Sequence, residues 1–285
     1  MSETAEPVLM RVEHITKEFP LPAGGRLKAC DDISIAIRKG ETTAIVGESG
    51  SGKSTLARTI MGLYTPEAGQ VLFRGADITS LRGEAKRQNY RHIQMIFQDP
   101  ATAFNPKMKV KDIICEPLLS FEVIRRQEVA ARARALLQLV ELPADFADRY
   151  PHSLSGGQRQ RVAIARALAL EPEIIICDEA TSALDVSVQD SVIRLLVRLQ
   201  REKGLTYLFI CHDLALVSLF SHQVIVMKQG RVVEQLPGEK LTEAQHPYTQ
   251  ALLRSVFSVH SRDVGLSARS GSPLTCGEQQ EVAYV

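Results

Sequence analysis

Cysteine is scarce in this chain: Cys30, Cys115, Cys177, Cys211 and Cys276 are scattered, with no CxxC pair and no companion histidine cluster. That spacing excludes a zinc site or a disulfide framework and points to reduced, mostly buried thiols. Long hydrophobic runs are missing too. The longest, such as the one ending at residues 174–177, fall far short of the roughly 20 residues that cross a bilayer, and charges interrupt them. The first ten residues carry acids and no basic region followed by an apolar core, so neither a secretory signal nor a transit peptide is expected, and the chain is expected in the cytoplasm. Charge of one sign is also lacking. With 34 Lys and Arg against 33 Asp and Glu, the net charge of +1 argues against a strongly electrostatic nucleic-acid binder. Sustained heptads and internal repeats are absent as well.

What remains is the material of a globular protein: 285 residues, 45% hydrophobic and 24% charged, enough for one large mixed domain or two smaller ones around real cores. Residues 8–19, 33–37 and 42–46 read as short β-rich runs around a Gly/Pro-containing loop at 20–25, and predict an antiparallel β layer at the start. From Lys53 a helical pattern runs to Leu63. Apolar strand-like runs then recur at 93–97, 174–177, 207–211 and 224–227 between helical stretches, which implies a largely parallel sheet covered on both faces. Residues 99–170 read as a helical insertion, with a strong helix former at 126–142. Residues 261–285 are polar and lack periodicity, as a flexible tail would.

The chemistry begins after the strand at 42–46, with Gly47, Glu48, Ser49, Gly50, Ser51, Gly52, Lys53, Ser54 and Thr55 opening a helix. Glycines let successive backbone N–H groups turn inward around phosphates, and the helix N-terminus adds partial positive charge. Lys53 reaches the β- and γ-phosphates, and the Ser54 hydroxyl is offered to Mg²⁺. A glycine-rich turn that merely starts a helix would need neither the lysine nor the preceding strand. A second element, the apolar run Ile174, Ile175, Ile176 and Cys177, delivers Asp178 and Glu179 at its tip. Alone it could be a strand reaching solvent. Beside a phosphate loop, Asp178 suits the Mg²⁺ shell and Glu179 suits polarisation of an attacking water.

A third element is Leu154, Ser155, Gly156, Gly157 and Gln158, followed by a helical run. Ser155 and the two glycine amides form another anion-binding helix start, and one chain with two such ends suggests that the second serves a neighbour's nucleotide. The pentapeptide resembles the signature sequence of ABC transporter ATP-binding subunits, and in this order the resemblance extends to about Val259. It implies ATP sandwiched head to tail between two such domains. It also gives roles to single residues: Gln98 looks like the lid glutamine near Mg²⁺ and water, and His212 looks like the switch histidine. Ser182, Ala183, Leu184 and Asp185 look like the loop that communicates across the dimer. Phe19, equally at home in a core, falls where the family often has a ring stacked on adenine.

Subfamily features are the segments 99–106, 116–118 and 185–189 together with His246, Pro247, Tyr248 and Thr249, which resemble the oligopeptide/dipeptide/nickel import group. Cys276 alone in a polar tail departs from relatives with a cysteine-containing C-terminal segment, and Ala180 stands where a proline is common. The resemblance implies an α/β P-loop core with an antiparallel β subdomain and a helical signature subdomain, in one nucleotide-binding domain over 1–259 followed by a tail at 260–285. It implies two membrane permease subunits, a second ATPase subunit identical or homologous to this one, and an extracytoplasmic solute-binding protein reached through the permease. The chain would then work as a peripheral subunit on the cytoplasmic face of the inner membrane, with ATP and Mg²⁺, importing peptides or nickel- and metal-chelate-type solutes. The rivals are a soluble ABC ATPase acting on nucleic acid or ribosomes, which usually carries tandem cassettes or coiled-coil arms, and a P-loop kinase, which leaves residues 154–158 unexplained.

Overall fold

Two sheets stacked on a shared apolar layer organise the computed structural model, which describes residues 7–22, 24–182 and 184–260. The first is antiparallel and four-stranded. It contains β1 (Val8–Pro20), β2 (Arg26–Arg38), β4 (Ala68–Phe73) and β5 (Ala76–Asp77), in the order β2-β1-β4-β5. The second has six strands in the order β10-β9-β3-β8-β7-β6, comprising β3 (Thr42–Val46), β6 (Ile93–Ile96), β7 (Ile174–Asp178), β8 (Thr206–Ile210), β9 (Gln223–Lys228) and β10 (Arg231–Pro237). All neighbours in it are parallel except the edge hairpin β9–β10.

β3, β7 and β8 are buried along their whole length, which is why their sequences read as unbroken apolar runs rather than alternating ones. Alternation reappears in which core each side chain enters. Ile45, Ile174, Ile176, Leu208 and Ile210 point to the antiparallel sheet and α1 (Lys53–Ile60); Ala44, Val46, Ile175, Cys177 and Phe209 point to the helices on the other face. A single sheet thus separates two apolar clusters.

The helices are α2 (Gly83–Asn89), α3 (Pro100–Ala103), α4 (Val110–Ser120), α5 (Val129–Leu139), α6 (Gly156–Leu168), α7 (Val186–Lys203), α8 (Leu214–Ser218) and α9 (Pro247–His260). Within 99–170 no described residue lies in a strand; α4, α5 and α6 pack through Ile114, Leu118, Ala133, Leu137, Val162 and Ala165. None of the described helices is long and apolar enough to cross a membrane.

Several boundaries differ from the sequence reading. The helix from Lys53 stops at Ile60 rather than Leu63, because Gly62 turns into the left-handed region at φ 71°. The helix expected at 126–142 begins with a 3-10 turn at Arg126–Glu128, where the Glu128 carboxylate accepts from the Arg125 N–H, and its α part ends at Leu139. The strand expected at 207–211 is Thr206–Ile210. The short strands β4, β5 and β10 carry exposed positions and gave no expectation. Cys276 and the expected tail at 261–285 lie outside the described residues, as does Ala183.

Candidate functional site

Because β3, β6, β7 and β8 run parallel, the segments that follow them emerge at one edge of the sheet, where ligands of such folds bind. Residues 47–52 follow β3, Gln98 comes two residues after β6, Asp178 ends β7 with Glu179 next, and His212 lies just past β8.

The loop after β3 is built so tightly that only glycine fits at its two ends. A Cβ on Gly47 would lie 2.2 Å from the Met227 carbonyl, and one on Gly52 2.0 Å from the Ala29 carbonyl, both at positive φ. Gly52 then caps α1, whose first residue, Lys53, is 4% exposed. Its ammonium donates to the carbonyls of Gly47 and Glu48, each at 2.8 Å, and to Ser51 Oγ at 3.3 Å. Burial pulls its pKa below the ordinary lysine range, while the charges of Glu179, Asp178 and Glu48 pull the other way. The Ser54 hydroxyl donates to Asp178 Oδ1 at 2.6 Å, and the Arg58 guanidinium stands 3.8 Å from the other oxygen of this carboxylate, itself 2% exposed.

Glu179 is held with φ at 50°, a left-handed conformation costly for a residue with a Cβ. Its N–H donates to the Ile210 carbonyl at 3.0 Å, and its own carbonyl accepts from the Ser182 hydroxyl at 3.0 Å. Gln98 Nε2 reaches Ser182 Oγ at 3.4 Å, tying the segment after β6 to the segment after β7. Phe19, Ser49, Gly50, Gly52, Lys53, Ser54, Thr55, Gln98 and Glu179 line one cleft of about 570 Å³. Phe19 meets Tyr64 edge-on at 5.3 Å, with Lys17 Nζ 5.4 Å from its ring centre. His212 is exposed and does not line this cleft; the following Asp213 caps α8 by accepting from the Leu216 N–H.

The 154–158 segment is elsewhere on the chain. Ser155 caps α6 by accepting from the Gln158 N–H at 3.3 Å, and Gln158 Oε1 accepts in return from the Ser155 N–H at 2.9 Å. Leu154 is buried, so of the five residues Ser155 and Gly156 are the exposed ones. Gly156 faces Leu184, and a Cβ on Gly157 would strike Val188 Cγ1 at 2.4 Å, which keys this helix start to the segment that follows Glu179. Asp185 caps α7, accepting from the Val188 N–H at 3.0 Å. None of residues 154–158 lines the cleft that holds Lys53.

No group of three or more His, Cys, Asp or Glu among the described residues could hold a metal by itself. Ser54 and Asp178 present two hard oxygens in contact beside the phosphate loop. That donor set fits Mg²⁺, which binds through one or two protein oxygens and substrate phosphates rather than in an all-protein cage. Sequence reasoning missed Leu27, Lys28, Ala29, Gln229 and Gly230, which complete the cleft from β2 and the β9–β10 turn, and Tyr248, which receives the Glu48 N–H. Tyr248 was visible in the sequence only as part of a subfamily feature.

The fold is that of a P-loop NTPase, and comparison with known proteins narrows it. Residues 30–182 match the family model described as ABC transporter. The oligopeptide transport ATP-binding protein OppF of Bacillus subtilis is 48% identical over 251 residues, covering 87% of this chain and 82% of that one. A probable peptide ABC transporter ATP-binding protein of Sinorhizobium fredii is 47% identical over 252 residues, covering 86% and 71%. Among solved structures, the dimeric ATP-binding cassette MJ0796 in a post-hydrolysis state with ADP and Pi superposes with a TM-score of 0.73 at 32% identity, covering 81% of this chain and 99% of that one. The chain belongs to the ABC transporter family, as one of its ATP-binding, ATP-hydrolysing subunits.

Proposed function

We propose that this chain powers the import of small peptides through a separate membrane permease, binding and cleaving ATP as one of two cassettes that close head to tail. The observation that carries the reading is the division of the site. Among the described residues, none of 154–158 lines the cleft with Lys53, Ser54 and Glu179, and Ser155 and Gly156 are exposed away from that lining. A second copy or a homologous subunit would complete both at once. Similarity to peptide transport ATP-binding proteins supports the substrate class and a permease partner. In this reading the permease has two subunits and is fed by an extracytoplasmic solute-binding protein. The chain then sits peripherally on the cytoplasmic face of the membrane, and no nucleic acid takes part. Residues 1–259 act as one nucleotide-binding domain whose helical part, 99–170, carries the signature.

In this reading Phe19 stacks on adenine, and the amides of residues 49–55 with Lys53 hold the phosphates. Ser54, Asp178 and Gln98 would hold Mg²⁺, which would neutralise charge on the phosphate oxygens. Glu179 accepts a hydrogen bond from the water that attacks the γ-phosphorus in line; His212 contacts the γ-phosphate, and Ser155 and the Gly156 and Gly157 amides cover it from the other subunit. Residues 182–185 carry the state of one site to the other, and the segment from Gln98 to Leu119 carries closure to the permease. The test is ATP hydrolysis in membranes with the co-expressed permease. Glu179→Gln is expected to keep ATP binding and permease association while losing about 10²–10⁴-fold in turnover. Undiminished turnover would remove Glu179 from its role, and failure of wild type to capture the permease would remove the transport reading.

A further inference from the structure

We infer that Tyr248 is a positioning residue for ATP binding: its phenol oxygen orients the Gly47–Glu48 peptide, whose opposite edge holds the Lys53 ammonium. The inference rests on the reading of Lys53 as a phosphate-holding cation and adds a second residue to that function.

One peptide unit links the two. Its N–H, that of Glu48, donates to Tyr248 Oη at 3.0 Å; its C=O, that of Gly47, accepts from Lys53 Nζ at 2.8 Å. A peptide unit is rigid and planar, so fixing one edge fixes the direction of the other. The unit needs such a clamp, because Gly47 has no side chain to restrict its torsions and the Glu48 side chain is exposed. Without the phenol, the Glu48 N–H would turn to water and the carbonyl holding Lys53 would turn with it.

The clamp is anchored independently of the loop it holds. Tyr248 is 8% exposed, and its ring lies 4.6 Å from the Lys228 ammonium at the end of β9. The start of α9 is tied to β10 by Glu234 Oε1, which accepts from the N–H groups of Gln245 at 2.7 Å and His246 at 3.2 Å. His246 Nδ1 in turn accepts from the Tyr248 N–H at 3.2 Å. Burial pushes the phenol above its ordinary range, so it stays neutral and serves as an acceptor. The segment His246, Pro247, Tyr248 and Thr249, a subfamily feature without a role so far, thereby reaches the nucleotide site through a single oxygen atom.

Tyr248→Phe removes that oxygen and keeps the ring. On the full chain we expect ATP affinity, read by displacement of a fluorescent ATP analogue, to fall about three- to tenfold, the effect of one lost hydrogen bond. The loss should appear in KM with kcat changed less than about twofold, because Lys53 touches phosphate in ground and transition states alike. The melting temperature should stay within about 2 °C of wild type. In a Lys53→Ala background the same substitution should add no further loss. Unchanged affinity in Tyr248→Phe, an equal loss in both backgrounds, or a lower melting temperature with unchanged KM would each overturn the inference. If Lys53→Ala alone bound ATP as wild type does, the reading of the phosphate loop would fail instead.

Discussion

Lys53 is surrounded by carbonyls, with its carboxylate neighbours acting only at a distance, and this arrangement has a titration signature. In the free chain, burial draws its pKa below the 10.5 of an ordinary lysine. Bound phosphates add negative charge beside the ammonium and favour the protonated form. Between the lowered value and 10.5, ATP binding should therefore draw a proton into the chain; well below that window the lysine is already charged and none should be taken up. Calorimetric titrations in buffers of different ionisation heat will read this uptake, and Lys53→Met should abolish it. At this scale the phosphate-loop residues were legible because a strand, three glycines, a lysine and a hydroxyl must coincide to make such a loop. Tyr248 was not, because its partner lies 200 positions away and nothing in either segment alone calls for the other.

The elements were legible in proportion to their burial. β3, β7 and β8 are covered on both faces and so declare themselves as apolar runs, whereas β5 is fully exposed and β10 mixes exposed with half-buried positions, leaving no pattern to read. The extent of α5 was misjudged because propensity does not register a capping side chain such as that of Glu128. Contacts between elements are also invisible to propensity, and the one between α6 and α7 makes a prediction. A methyl on Gly157 meets Val188 Cγ1 at 2.4 Å, so Gly157→Ala overpacks the join by about 1–3 kcal/mol. Thermal melts should show a drop for Gly157→Ala and recovery of most of it when Val188→Ala is added.

For the whole molecule, the proposed head-to-tail pairing predicts complementation between copies, since Ser155 is exposed and does not line the cleft that holds Lys53. In a homodimer, a chain with Ser155→Arg keeps a sound phosphate loop and a chain with Lys53→Ala keeps a sound signature end. Each alone should hydrolyse ATP poorly, while an equimolar mixture should exceed both in a phosphate-release assay, because each mixed dimer holds one intact site. No recovery at any mixing ratio would show that the ends do not meet between identical chains. The layered architecture was legible from strands alternating with helices; the order of the strands was not, since a run of apolar residues does not say which other run lies beside it.

That order has a consequence for how the protein comes into being. β3, which carries the phosphate loop, is flanked by β8 and β9, both of which arrive more than 150 residues later in the chain. On the ribosome, Thr42–Val46 emerges as a bare apolar strand without either of its sheet neighbours, and must wait for more than 150 further residues before they can pair with it. Non-local pairing of this kind is slow and leaves sticky strand edges exposed in the meantime. The antiparallel sheet, whose strands all lie within the first 77 residues, can assemble during that wait and cover one face of β3. Nucleotide capture therefore waits for strands far along the chain, and the early β layer doubles as a shelter for the strand that will later carry it.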